Sequence, residues 1–165
     1  MSDVSTVPRP SQLWKQLSPE RKLQAAEAFW RDENASVEQA EALATIAQRI
    51  KFRIKSVLSM PVEKKAKQLV ALPAVSEMVA ARLLVAYHLV HQRPMMGAFL
   101  DALGIAHENG LIQEEDVRPD AEKIAPAAAQ IAKQFPADDV RIYLNTLLSQ
   151  DPDTWGALAG LPEVS

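Results

Sequence analysis

The chain contains no cysteine, which excludes disulfides, thiolate-held metals and cysteine nucleophiles and accords with a reducing, cytoplasmic setting. Glycine is scarce as well, at five residues in 165, and no glycine-rich loop is arranged to cradle a phosphate. HExxH, GxSxG and calcium-loop spacings are missing, and no serine stands beside a histidine. Long apolar runs are missing too. The greasiest stretch, Val75 to Val90, is interrupted by Glu77, Arg82 and His88 and is shorter than the roughly 20 residues a membrane span needs, so a core helix is expected there and no membrane contact. Neither sign of charge dominates: 18 lysines and arginines face 21 acids. A net charge of −3 draws the whole molecule toward neither nucleic acid nor anionic lipid, so an electrostatic partner must meet a local patch. Met1 to Pro10 lacks the basic and apolar blocks of a targeting segment and is expected to be a flexible leader (1–10) before one domain at 11–165.

What the chain does contain favours helix. Alanine, leucine, glutamine, glutamate and lysine dominate, and no segment alternates polar and apolar residues for long. Eleven prolines then mark the joints. Ser18-Pro19 reads as a cap followed by proline in the first turn of a helix to Arg31, with Leu23, Ala26, Phe29 and Trp30 on one side. Asp32 to Ala35 reads as a turn. Ser36 opens a helix to Ser59, whose apolar stripe Leu43, Ile46, Ala47, Ile50, Ile54 and Val57 keeps three-and-four spacing over about 36 Å. Pro61 and Pro73 are each expected to start a helix, running to Leu72 and Gln92. Pro94 to Leu103 is the fifth, ended by a left-handed cap at Gly104 with Ile105 packed behind it. The Asn109-Gly110 pair is the strongest short turn signal and suits a very short hairpin. A helix over 119–135, kinked or broken at Pro126, another over 138–149 and a short one after Pro152 complete the expectation.

The predicted fold is therefore all-α, an irregular multi-helix bundle of about eight helices. An echo of Pro19-Glu20-Arg21-Lys22 in Pro61-Val62-Glu63-Lys64-Lys65, about 42 residues on, suggests the alternative of a short HEAT-like solenoid of helical hairpins.

Three features are candidates for function. Between Ala42 and Ser76 lie Arg49, Lys51, Arg53, Lys55, Lys64, Lys65 and Lys67 against the single acid Glu63, which leaves the rest of the chain at −9. Phe52 falls among these bases, off the apolar stripe, where a ring can stack on a nucleobase. Arg49, Phe52, Arg53, Lys64, Lys65 and Lys67 thus form a candidate anion or nucleic-acid surface, against the plainer reading of a solvated face. Second, Arg82 is flanked on its helix by Val75, Met78, Val79, Val85, Ala86 and Leu89. A guanidinium in such a stripe needs a carboxylate, and counting outward from the turn near Arg93 selects Asp101, as a structural pair or as the floor of an internal pocket. Third, His88 and His91 share the spacing of two metal ligands on one helix, with Glu77 on the same face, but His107 follows a further helix, and no metal site is assigned. No cofactor and no catalytic residue is expected.

The resulting expectation is a non-enzymatic protein-interaction module whose partner is another protein. A nucleic-acid or anion binder using the basic surface is the alternative, and a pocket enzyme built on Arg82 and Asp101 comes third. An interaction module predicts an exposed apolar patch, with Trp14, Phe52 and Trp155 as candidates. No oligomeric state follows from these residues.

Overall fold

In the computed structural model, which describes residues 7–165, the chain is all-α: ten α-helices and no strand occur among the described residues. The expected leader lies outside the described residues as far as residue 6, and Pro10 already begins a helix. Two helices more than expected arise because α1 (Pro10–Gln16) precedes Ser18, and because the long helix expected from Ser36 is divided in two. None of the helices is long and apolar enough to cross a membrane.

The chain packs as two compact units. The first, Pro10–Val90, contains α1, α2 (Pro19–Arg31), α3 (Ser36–Ile50), α4 (Ile54–Leu58), α5 (Val62–Val70) and nearly all of α6 (Glu77–His91). α2 starts as its sequence dictates: the Ser18 hydroxyl accepts the Arg21 N–H at 3.2 Å and Pro19 fills the first turn, satisfying one amide and removing another that would have had no partner. Its buried face, Ala25, Ala26, Ala28, Phe29 and Trp30, packs mainly on α5. Phe29, Ile46, Leu69, Leu83 and Leu84 make the fully buried centre of this unit.

Two joints differ from expectation. Pro73 does not start a helix; α6 begins at Glu77, where the Ser76 hydroxyl accepts the Val79 N–H at 3.2 Å and meets the Glu41 carboxylate. A side-chain cap fixes a helix start more firmly than a proline, which only tolerates one. The helix from Ser36 stops at Ile50. Lys51 takes the left-handed conformation at φ 58°, and the Phe52 N–H closes back on the Ala47 carbonyl at 3.0 Å. An uninterrupted helix would stack Arg49 over Arg53 and Lys51 over Lys55, two like-charged pairs at i,i+4 that each disfavour it by about 0.2–0.5 kcal/mol. Breaking the helix at Lys51 parts both pairs.

The second unit, centred on His91–Ser165, holds α7 (Arg93–Leu103), α8 (Ala121–Gln134), α9 (Ala137–Gln150) and α10 (Pro152–Trp155). α7 ends as expected, with Gly104 at φ 72° and the Ile105 N–H on the Leu100 carbonyl at 3.0 Å. The hairpin at Asn109-Gly110 forms as well: Glu108 and Leu111 pair across a two-residue turn whose central residues both have positive φ, the signature of a type I′ turn. α8 runs through Pro126 without interruption and is capped by Asp120, which accepts the Glu122 N–H at 3.1 Å. Phe99 lies edge-on to Tyr143 with ring centroids 5.7 Å apart and against Trp155 at the same separation, among Ile124, Ile131, Leu144 and Leu148. Burial pushes the Tyr143 phenol above its ordinary pKa, because the phenolate would lose its hydration.

At α10 the Asp151 carboxylate accepts from both the Thr154 hydroxyl and the Thr154 N–H. These bonds, the hydroxyl first, hold its pKa below the usual carboxylate value. A depressed folded-state pKa stabilises the cap above the unfolded pKa and loses that support as pH falls through the folded one. Thr154→Val is therefore expected to raise the Asp151 titration midpoint, followed by carboxyl-carbon NMR; an unchanged midpoint would remove the hydroxyl as the leading cause.

Candidate interaction surface

The break at Lys51 decides what the α3–α4 region presents. Leu43, Ile46 and Ala47 stay buried in α3, but the apolar stripe does not continue. After the left-handed turn, Ile54 points to solvent at 52% exposure, Leu58 at 55% and Phe52 at 53%. Ile54 and Leu58 are one turn apart and so share one face of α4. Val57 is the sole buried residue between Lys51 and Ser59 and is fully enclosed. A five-residue helix is thus pinned by one valine and turns two large aliphatic side chains outward. The expected assignment of Ile54 to the core stripe is corrected by this geometry: a stripe keeps its face only while the helix is continuous.

The bases divide into two groups. Arg49 donates from its guanidinium to the Ala71 carbonyl at the end of α5. Lys65 reaches the Leu58 carbonyl at 3.4 Å and lies over the Trp30 ring at 5.1 Å, tying α5 to both α4 and α2. The side chains of Lys51, Arg53, Lys55, Lys64 and Lys67 are exposed and enter no hydrogen bond or ion pair among the described residues. Glu63 is taken by Arg31 at 3.4 Å and neutralises none of them. Of the residues expected to make an anion surface, Phe52, Arg53, Lys64 and Lys67 are therefore available, whereas Arg49 and Lys65 are engaged within the fold. Ile54 and Leu58 were not legible as surface residues; the signal for them was the succession of bases at 49, 51, 53 and 55, which disfavours a continuous helix. Trp14 and Trp155, the other candidates for an apolar patch, are both buried.

Arg82 has a carboxylate partner, but a different one from that expected. Its Nε and Nη2 donate to one oxygen of Asp32 at 3.0 and 2.9 Å, and the other oxygen accepts the Asn34 N–H at 2.9 Å. Gln39 adds bonds to the Phe29 and Asp32 carbonyls at 2.8 and 2.9 Å, so the end of α2 is closed by a polar cluster that also holds α6. Asp101, expected opposite Arg82, accepts from His107 at 2.7 Å and borders an open groove of about 460 Å³ with Ala98, Ala102, Pro126, Ala127 and Gln130. Counting residues outward from a turn assumed that the neighbouring helix supplies the acid, whereas the turn after α2, 50 residues upstream, supplies it.

The histidines serve structure in two cases. His88 is buried, and its Nδ1–H donates to the Leu84 carbonyl at 2.7 Å. The Gly110 N–H donates to His107 Nδ1 at 3.0 Å, which leaves Nε2–H to donate to Asp101 and fixes the tautomer. His107 thus links the end of α7 to the Asn109-Gly110 turn. No group of three potential metal ligands is brought together among the described residues. No family model, curated protein or solved structure matches this chain.

Proposed function

We propose that the chain is a non-enzymatic protein-interaction module whose contact surface is the α3–α4 joint. The observation that carries this reading is the outward display of Phe52, Ile54 and Leu58, each more than half exposed, on a segment whose one buried side chain is Val57. Single exposed aliphatics are ordinary, but two on one helical turn with an aromatic just before them are the kind of surface a partner desolvates. Exposed positions contribute little to folding, so Ile54→Ser/Leu58→Ser is expected to change unfolding free energy by within about 0.5 kcal/mol. The same double variant abolishes capture of the partner from cells producing the tagged chain. Retained capture, or a collapse of stability, would contradict the assignment.

The second reading is an anion or nucleic-acid surface, favoured by the five unengaged bases. It predicts an affinity for single-stranded DNA that falls steeply between 50 and 200 mM salt and drops on neutralising Lys64 and Lys67. Two observations favour the protein reading over it: Arg49 and Lys65 are spent inside the fold, and the aliphatic Ile54 and Leu58 offer a nucleobase no stacking surface.

A further inference from the structure

We infer that the partner segment seated on the α3–α4 joint is an acidic amphipathic helix. The inference rests on the interaction-module reading and adds the chemistry of the occupant. Ile54 and Leu58 repeat at one helical turn, so an apolar ridge with the same i,i+4 repeat meets both at once. Lys51, Arg53 and Lys55 flank those side chains in the chain, and Lys65 ties the start of α5, where Lys64 stands, to the Leu58 carbonyl. The apolar ridge is therefore bordered by exposed cations without a neutralising acid, since Glu63 is committed to Arg31. A helix with leucines along one face and carboxylates beside them complements both features. A basic or neutral helix matches the ridge alone and is repelled or unassisted by the rim, which sets specificity and encounter rate more than final affinity.

The probe is a labelled 18-residue synthetic peptide with leucines at i,i+4 spacing and glutamates on the flanks, titrated with the full chain by fluorescence anisotropy at 50 and 300 mM salt. Three comparison probes accompany it: the peptide with its leucines replaced by serines, the peptide with its glutamates replaced by lysines, and a single-stranded DNA 20-mer. The inference predicts that the acidic leucine peptide binds most tightly and weakens at the higher salt. Ile54→Ser/Leu58→Ser should weaken it about tenfold or more, as expected for contacts at the centre of a small interface, and Lys64→Glu, at the rim and away from the Lys51 break, should weaken it less while reducing its salt dependence, with circular dichroism and unfolding midpoints unchanged in both variants. Equal binding of the serine peptide would reduce the surface to a polyelectrolyte and overturn the inference. Tighter binding of the lysine peptide, still dependent on Ile54 and Leu58, would overturn the charge of the partner while leaving the interaction-module reading standing. Tighter binding of DNA that ignores Ile54→Ser/Leu58→Ser would overturn both, as would absence of binding by every peptide.

Discussion

Gly110→Ala is expected to destabilise the His91–Ser165 unit by about 2–5 kcal/mol. Two costs combine. Gly110 sits at φ 86°, where any Cβ meets the following carbonyl at a cost of about 1–2 kcal/mol. That Cβ would also lie 2.8 Å from the Met96 Cβ and 3.2 Å from the Arg93 carbonyl oxygen, an overlap with backbone and near-backbone atoms that cannot swing aside, worth about 1–3 kcal/mol. Gly160 isolates the first cost: its φ is 84° and nothing lies within 4 Å of the same added atom. Gly160→Ala should therefore lose only the backbone part, about 1–2 kcal/mol. Urea unfolding of the two variants side by side checks the contrast; equal losses would mean that the turn does not pack against α7 as described.

The second large effect is at Asp32 and Arg82. Removing one partner of a fully buried ion pair costs about 3–5 kcal/mol because the other charge is stranded. Here the side chains remain 12% and 24% exposed, so water softens the loss, and Arg82→Ala is expected to cost about 2 kcal/mol. Asp32→Ala should cost at least as much, since the Asn34 N–H loses its acceptor too. The double variant should fall well short of the sum, and the shortfall measures the pair's coupling. Strict additivity would show that the two groups stabilise the unit independently. A smaller expectation concerns Val57, the fully buried anchor of α4: Val57→Ala should cost about 2 kcal/mol and loosen the joint, visible as faster amide exchange at residues 54–58.

How far the sequence spoke for this fold depends on whether the deciding contact was local. The Ser18 cap, the Gly104 stop and the Asn109-Gly110 turn were legible because each is settled within four or five residues by a hydroxyl, a missing Cβ or a tolerated positive φ. The stop at Lys51 carries no glycine or proline; its cause is the sum of repulsions between bases four residues apart, Arg49 with Arg53 and Lys51 with Lys55, a signal easily passed over beside an intact apolar stripe. Pro73 was a persuasive helix start and Ser76 the effective one, because a proline permits a helix where a side-chain oxygen specifies it. The need of Arg82 for a carboxylate was readable from its apolar neighbours, but the identity of that carboxylate was not, since sequence spacing ranks nearby acids and the fold chose Asp32. For the candidate surface the bases were visible in the sequence, while the aliphatic half, Ile54 and Leu58, became visible only once the helix was seen to break.

The central claim, that the α3–α4 joint is where a partner protein sits, is tested most directly by placing the photo-crosslinker p-benzoylphenylalanine at Phe52 and, separately, at Val37, an exposed apolar residue on α3. Irradiation in cells producing the chain should yield one discrete protein adduct from position 52 and none from position 37. Identical adduct patterns at the two positions, or an adduct at position 52 that nuclease removes, would contradict the claim.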